Sequence, residues 1–148
     1  MKLRKRHKAH LRVAGDLALL EMCVDVLPGE SINHITRDMM EILTTSKRGV
    51  GLSANQAGYA KRIIIIKAPG GYETLVNPII ISRSREKCTQ TESCLSYPGR
   101  SVPVSRSYCV EVLAMRWSEV RDYKGFESRI IQHEIDHLNG ICKVAKGA

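Results

Sequence analysis

Near its C-terminal end the chain reads Gln132-His133-Glu134-Ile135-Asp136-His137. On a helix, His133 and His137 stand at i and i+4, on one face and about one turn apart. Two imidazoles so placed can hold one metal ion, with Glu134 beside it as a general acid or base. An HExxH run also arises by chance on a solvated helix, so the surrounding pattern has to support it. It does so here. Proline is absent from Asp122 to Ala148, and Phe126, Ile130, Ile131, Ile135 and Leu138 recur at helical spacing. Gly140 supplies a stop.

A catalytic site of this type takes three protein ligands and keeps a position open. The eleven residues after His137 contain no His, Asp or Glu, which excludes a downstream ligand of those types. His7, His10 and His34 fall in a basic N-terminal stretch and the first helix, and read as solvated. Cys94, in Glu92-Ser93-Cys94-Leu95-Ser96 ahead of Pro98-Gly99, is the better third ligand. Its thiolate suits ferrous iron, zinc, cobalt or nickel. Taken alone, Cys94 would read as a buried structural cysteine. The HExxH helix without a downstream ligand is what favours a ligand.

The elements that must position these residues belong to an ordinary globular chain. Its 148 residues, 43% apolar and 26% charged, fit one domain (1–148) with a real core. The net charge of +8 is uneven, because Lys2, Arg4, Lys5, Arg6, Lys8 and Arg12 precede the first acid, Asp16. Residues 1–12 therefore read as a basic, flexible arm, fit to meet RNA, a ribosome or another anionic surface. A solvated, frayed terminus is the preferred reading, since no aromatic residue interleaves the charges. Leu17 to Leu27 is broken by Glu21 and Asp25, too polar for a signal-peptide core. No stretch approaches the roughly 18 apolar residues that span a bilayer. Five cysteines, odd in number and without CxxC pairing, read as free thiols in a reducing compartment. A cytoplasmic protein is expected, with no membrane or DNA partner.

Along the chain, Ser31 is placed to cap a helix through Thr45, with Ile32, Ile35, Met39, Ile42 and Leu43 on one stripe. Gly49 and Gly51 open a loop, and Ile63 to Ile66 form a strand buried on both faces. Short strands at Thr74 to Val76 and Ile79 to Ile81 flank Asn77-Pro78, and 87–96 is extended or irregular. Alternation of Val110, Val112 and Ala114 predicts a strand from Ser107 to Trp117. The sum is an α+β domain, with small antiparallel or mixed sheets packed around a central helix carrying HExxH. Held inside the sheets, that helix would keep a metal site dry.

Gly49-Val50-Gly51-Leu52-Ser53-Ala54-Asn55-Gln56, Glu92-Ser93-Cys94-Leu95-Ser96 and Gln132-His133-Glu134-Ile135-Asp136-His137 resemble, in order and spacing, the three signature motifs of peptide deformylases. Asn77-Pro78 and Leu138-Asn139-Gly140 resemble that family too, and the likeness runs from about residue 20 to residue 142. The resemblance implies removal of the formyl group from N-formylmethionyl nascent peptides. It implies Cys94, His133 and His137 as metal ligands, with ferrous iron native and zinc, nickel or cobalt able to substitute. Glu134 would relay a proton from water to the leaving amine. Gln56 and the backbone N–H of Leu95 would stabilise the oxyanion. The family binds its peptide as an added strand along the Gly49–Gly51 segment. On the His133 face of the helix, Phe126 and Ile130, with Val50, are candidates to wall a methionine pocket. Plain core packing is the equal alternative for Phe126 and Ile130.

The departures from the family pattern are specific. Ser93 stands where Gly is usual and could narrow the substrate groove, and Ser53 replaces the usual Ala. Arg100 matches an Arg that many members carry near the substrate, although a solvated Arg fits equally. The chain ends eleven residues after His137, without the long C-terminal helix of many bacterial members. The basic arm could take over a ribosome contact. Two other functions compete. A zinc endopeptidase shares HExxH but leaves the Gly-rich and cysteine motifs unexplained. A basic metal-stabilised RNA-binding module predicts a closed four-ligand site in which Glu134 is idle.

Overall fold

A computed structural model describes residues 9–146; the arm's Lys2, Arg4, Lys5, Arg6, His7 and Lys8 lie outside the described residues. Residues 9–12, expected to be part of the flexible arm, are seated on the body. Ala9 and Leu11 pack against apolar core residues, and Arg12 N donates to Gln56 O at 2.7 Å.

The first helix, α1 (Asn33–Thr45), buries Ile35, Met39, Ile42 and Leu43, the stripe its periodicity predicts. Ser31 does not cap it. Ile32 holds the N-cap position with no side-chain hydrogen bond, and Thr36 Oγ1 bonds back to Ile32 O at 3.3 Å. Strands β1 (Gly51–Ser53), β2 (Ile63–Ala68) and β3 (Gly71–Val76) form an antiparallel sheet in the order β1-β2-β3. The four isoleucines of β2 are fully buried and alternate between two cores. Ile63 and Ile65 face α1, while Ile64 and Ile66 face Ile131, Ile135 and Leu138 of the late helix. A strand with both faces covered has no polar side to show, which is why its sequence does not alternate.

A second antiparallel sheet pairs β4 (Ile79–Arg83), β7 (Cys109–Leu113) and β8 (Arg121–Lys124) in the order β4-β7-β8. A third is the hairpin of β5 (Lys87–Ser93) and β6 (Ser101–Ser107). Here the expected strand from Ser107 to Trp117 is shorter, running as β7 from Cys109 to Leu113, while Ser107 ends β6. The chain bends at Tyr108, whose N–H bonds Glu86 O at 2.9 Å, and β7 has ended before Trp117. Val110, Val112 and Ala114 do face the core as their alternation predicts. Strand β6 escaped the sequence reading because Pro103 interrupts it. A two-stranded hairpin tolerates that proline because its outer edge needs no N–H donor.

Helix α2 (Gly125–Leu138) carries the HExxH run and packs against strands of all three sheets. The carbonyls of its last three residues find partners beyond the helix. Asn55 Nδ2 donates to His137 O at 2.7 Å, and Leu138 O accepts from Cys23 N and Arg62. Gly140 follows in the left-handed region (φ 72), where an added Cβ would lie 2.5 Å from Leu20 O, so only glycine fits this stop. A one-turn helix, α3 (Lys143–Lys146), closes the described chain.

Candidate metal centre and substrate cleft

Three elements deliver the candidate ligands. Helix α2 presents His133 and His137 one turn apart, and the turn after β5 brings Cys94 to them from 39 or more residues upstream. His133 Nε2 lies 3.1 Å from His137 Nε2, and Cys94 Sγ lies 3.3 Å from His137 Nε2. Ligands about 2.0–2.3 Å from one tetrahedral ion stand roughly 3.3–3.8 Å apart, so this donor set fits a divalent metal with little adjustment. The two imidazole nitrogens and the thiol converge on one point that a single shared proton could not satisfy.

The sequence reading missed a fourth member. Cys142 Sγ falls within the same cluster, all four candidate donor atoms lying within 4.8 Å of one another. This cysteine, five residues after His137, lies outside the His and carboxylate types expected of a downstream ligand. Its nearness to Cys94 comes from the turn at Gly140, which spacing alone does not reveal. The two thiols ionise as a pair. Each can hydrogen-bond the other, which eases loss of the first proton, assigned to Cys142, and opposes loss of the second from Cys94.

Behind the histidines lies a buried ionic frame that the sequence reading also left without a role. Glu92, at the end of β5, accepts from Arg106 Nε and Nη2, both at 2.9 Å, and from Arg129 Nη1. His133 Nδ1 meets Glu92 Oε1 at 2.9 Å, so a neutral imidazole donates there and leaves Nε2 free to ligate. Burial pushes the Glu92 carboxyl up, but the hydrogen bonds and charges of Arg106 and His133 outweigh it and hold it well below the usual range. Arg106 also reaches Asp136 at 2.6 Å, tying the β6 strand to the HExxH turn.

Glu134 is in the opposite condition. It is 4% exposed, its Oε2 has no hydrogen-bond partner, and burial raises its carboxyl to about 7. Gln56 is fixed by Ser53, whose N–H and Oγ bond its Oε1 at 3.0 and 2.9 Å. With the oxygen engaged, the Gln56 amide nitrogen points at Ser96 Oγ (3.0 Å) and Cys94 Sγ (3.7 Å), as a donor aimed at the cluster must.

These groups line a cleft of about 420 Å³. Gln56, Cys94, Leu95, His133 and Glu134 are among the residues that line it. Val50, Gly51, Ile130, Phe126 and Arg100 also line it, so every candidate substrate-binding residue reaches the cleft. Their settings differ. Ile130 is 4% exposed and belongs equally to the core, whereas Phe126 is 58% exposed, so core packing does not describe it. Arg100 is exposed and its guanidinium bonds Ala145 O at 2.8 Å. Ser93 lines the cleft with an exposed side chain. Gly51 is required by close approach, since a Cβ there would meet Ile130 Cγ2 at 2.7 Å and Glu134 Oε1 at 3.1 Å. His10 and His34 are exposed and take no part; His34 stacks edge-on against Tyr59.

Known proteins share both sequence and shape with this chain. The sequence profile of the family described as polypeptide deformylase matches residues 9–146. "Peptide deformylase 1" of Clostridium perfringens is 37% identical over 139 residues, covering 89% of this chain and 92% of that protein. The crystal structure of the deformylase of Vibrio parahaemolyticus bacteriophage VP16T, in complex with actinonin, superposes with a TM-score of 0.82. It is 34% identical and covers 90% of this chain and 98% of that one. A probable peptide deformylase from Synechococcus phage S-SSM7 gives a TM-score of 0.85 at 28% identity, covering 95% and 99%. The endopeptidase and RNA-module readings both give way to this match over most of the chain. The chain belongs to the polypeptide deformylase family, metal-dependent hydrolases that remove the formyl group from the N-terminal methionine of nascent polypeptides.

Proposed function

We propose that Cys94, His133 and His137 hold the catalytic metal and that Glu134 is the proton relay of deformylation. The observation that carries this reading is Glu134 itself, buried, lining the cleft, and one oxygen short of a partner beside the donor cluster. A divalent ion held by Cys94, His133 and His137 would supply Lewis acidity toward the formyl carbonyl and a nearby water. Glu134 Oε2 takes the proton that this water loses and returns it to the departing amine as the C–N bond breaks. Gln56 Nε2 and the Leu95 backbone N–H donate to the oxygen that gains charge in the tetrahedral transition state. Glu92 keeps His133 in the tautomer that offers Nε2.

Strand β1 stands at the edge of its sheet, bonded to β2 on one side only. An extended peptide adding to that edge pairs through its main chain and so is read without regard to sequence. The methionine side chain then enters the space walled by Val50, Phe126 and Ile130, with Arg100 at the rim. We further propose ferrous iron as the native ion, with zinc, nickel or cobalt substituting, action in the cytoplasm, and transient ribosome contact through the basic residues 2–12. The thiolate-imidazole donor set and the charge of that segment support these points.

The ligand assignment is tested by metal content. Cys94→Ala, His133→Ala and His137→Ala should each fall well below one ion per chain after dialysis. Glu134→Gln should retain a full complement; a full complement in any of the three ligand variants would remove that residue from the set.

A further inference from the structure

Cys94 and Cys142 stand apart from the other cysteines. Both are nearly buried, at 8% and 7%, and both belong to one small apolar cluster with Val144. Their sulfurs lie within 4.8 Å. Cys94 lines the cleft, and Cys142 is not among the residues that line it. Cys23 is buried in a different core, and Cys88 and Cys109 are half-buried on β5 and β7. All five are free thiols. One sulfur on the wall of a cleft, with a second free thiol within 4.8 Å of it, is the arrangement of an attacked thiol and its resolving partner.

We infer that Cys142 is the resolving thiol of Cys94, and that hydrogen peroxide drives the two to a disulfide that dismantles the donor cluster reversibly. Peroxide is the oxidant. The Cys94 sulfur attacks one peroxide oxygen, the O–O bond breaks, and water leaves with the thiol proton, giving a sulfenic acid. The Cys142 sulfur then attacks the Cys94 sulfur and the S–O bond breaks. The hydroxyl departs as a second water with the Cys142 proton. Two thiols and one peroxide thus become one disulfide and two waters. Reaching the disulfide length of about 2.05 Å requires the sulfurs to close their gap. The movement falls on the short segment between Gly140 and the single turn of α3, near the end of the chain. Without Cys142, the sulfenic acid has no thiol to condense with and proceeds to sulfinic and sulfonic acids, which reductant does not reverse. A redox-inert ion such as zinc on Cys94 competes for the same sulfur, so loading with zinc slows the closure. The placement of the two thiols is the same whatever reaction the site performs.

The test is mass spectrometry of metal-free and zinc-loaded protein after graded hydrogen peroxide, with remaining thiols alkylated. The parent should lose two hydrogens, yield a linked peptide pair containing Cys94 and Cys142, and return to the starting mass with dithiothreitol. Zinc-loaded protein should react more slowly and release its zinc to a chromophoric chelator as the link forms. Cys142→Ala, or Cys142→Ser if the first folds poorly, should instead gain two or three oxygens on Cys94 that dithiothreitol does not remove. Cys88→Ala should behave as the parent. Sulfinic acid at Cys94 in the parent, at the yield seen without Cys142, would overturn the inference. So would a link from Cys94 to any cysteine other than Cys142; the parent's peptide map alone decides that point.

Discussion

Glu92 and Glu134 are two buried carboxyls beside the same histidines, held in opposite conditions. Glu92 is saturated by two guanidiniums and an imidazole and stays ionised; Glu134 is buried with an oxygen to spare. Such divergence separates a positioning carboxylate from one that moves protons. Removing Glu92 leaves Arg106 and Arg129 buried without their counter-charge. Glu92→Ala is therefore expected to lose about 3–5 kcal/mol of stability in denaturant titration. The milder Glu92→Gln keeps the shape but weakens the hold on His133, and should lower metal affinity about 10–100-fold in chelator competition. Unchanged affinity in Glu92→Gln would mean that His133 is oriented by something else. Gln56→Glu replaces a neutral donor with a negative charge where the oxyanion develops. It should cost roughly 10²–10³ in kcat while metal content holds.

At the scale of elements, the fit of β1 against α2 sets the site's geometry. Gly51→Ala forces a methyl into Ile130 Cγ2 and the Glu134 carboxylate. Overpacking of this kind typically costs about 1–3 kcal/mol, so the midpoint of thermal unfolding should fall and activity should fall with it. A fully active, fully stable Gly51→Ala would show that the strand can draw back from the helix. Much of this layer was legible in the sequence. The stripe of α1, the two-faced β2 and the helix bearing His133 and His137 all followed from periodicity, because burial imposes period on the residues that face a core. What escaped were features fixed by tertiary contact. Pro103 concealed β6, Ser31 lost its capping role to a chain that enters α1 by another path, and Cys142 reached Cys94 only through the Gly140 turn. The candidate ligands Cys94, His133 and His137 were recognisable because HExxH lacked a downstream partner of the usual kinds. The roles of Glu92, Arg106 and Asn55 were not, since each depends on partners many residues away.

Across the whole molecule, one sheet is covered by α1 on one face and α2 on the other, and the remaining sheets close around α2. Among the described residues no helix is long and apolar enough to cross a membrane. The cleft stays open to solvent at Phe126 and Arg100, so the Cys94 sulfur is reachable by dissolved oxidants even though little of its surface is exposed. Iron-loaded protein should therefore lose activity on standing in air, and nickel-loaded protein should keep it. Equal air stability of the two forms would count against a redox-vulnerable iron-thiolate site. Formate release from a formyl-methionyl tripeptide, by parent and Glu134→Gln each prepared anaerobically with iron or nickel and shown to hold its metal, decides whether Glu134 relays the proton. Rapid release by the parent and a loss of at least about 10²–10⁴-fold in the variant is the expected result. Equal release by both would contradict the assignment of Glu134 as the proton relay.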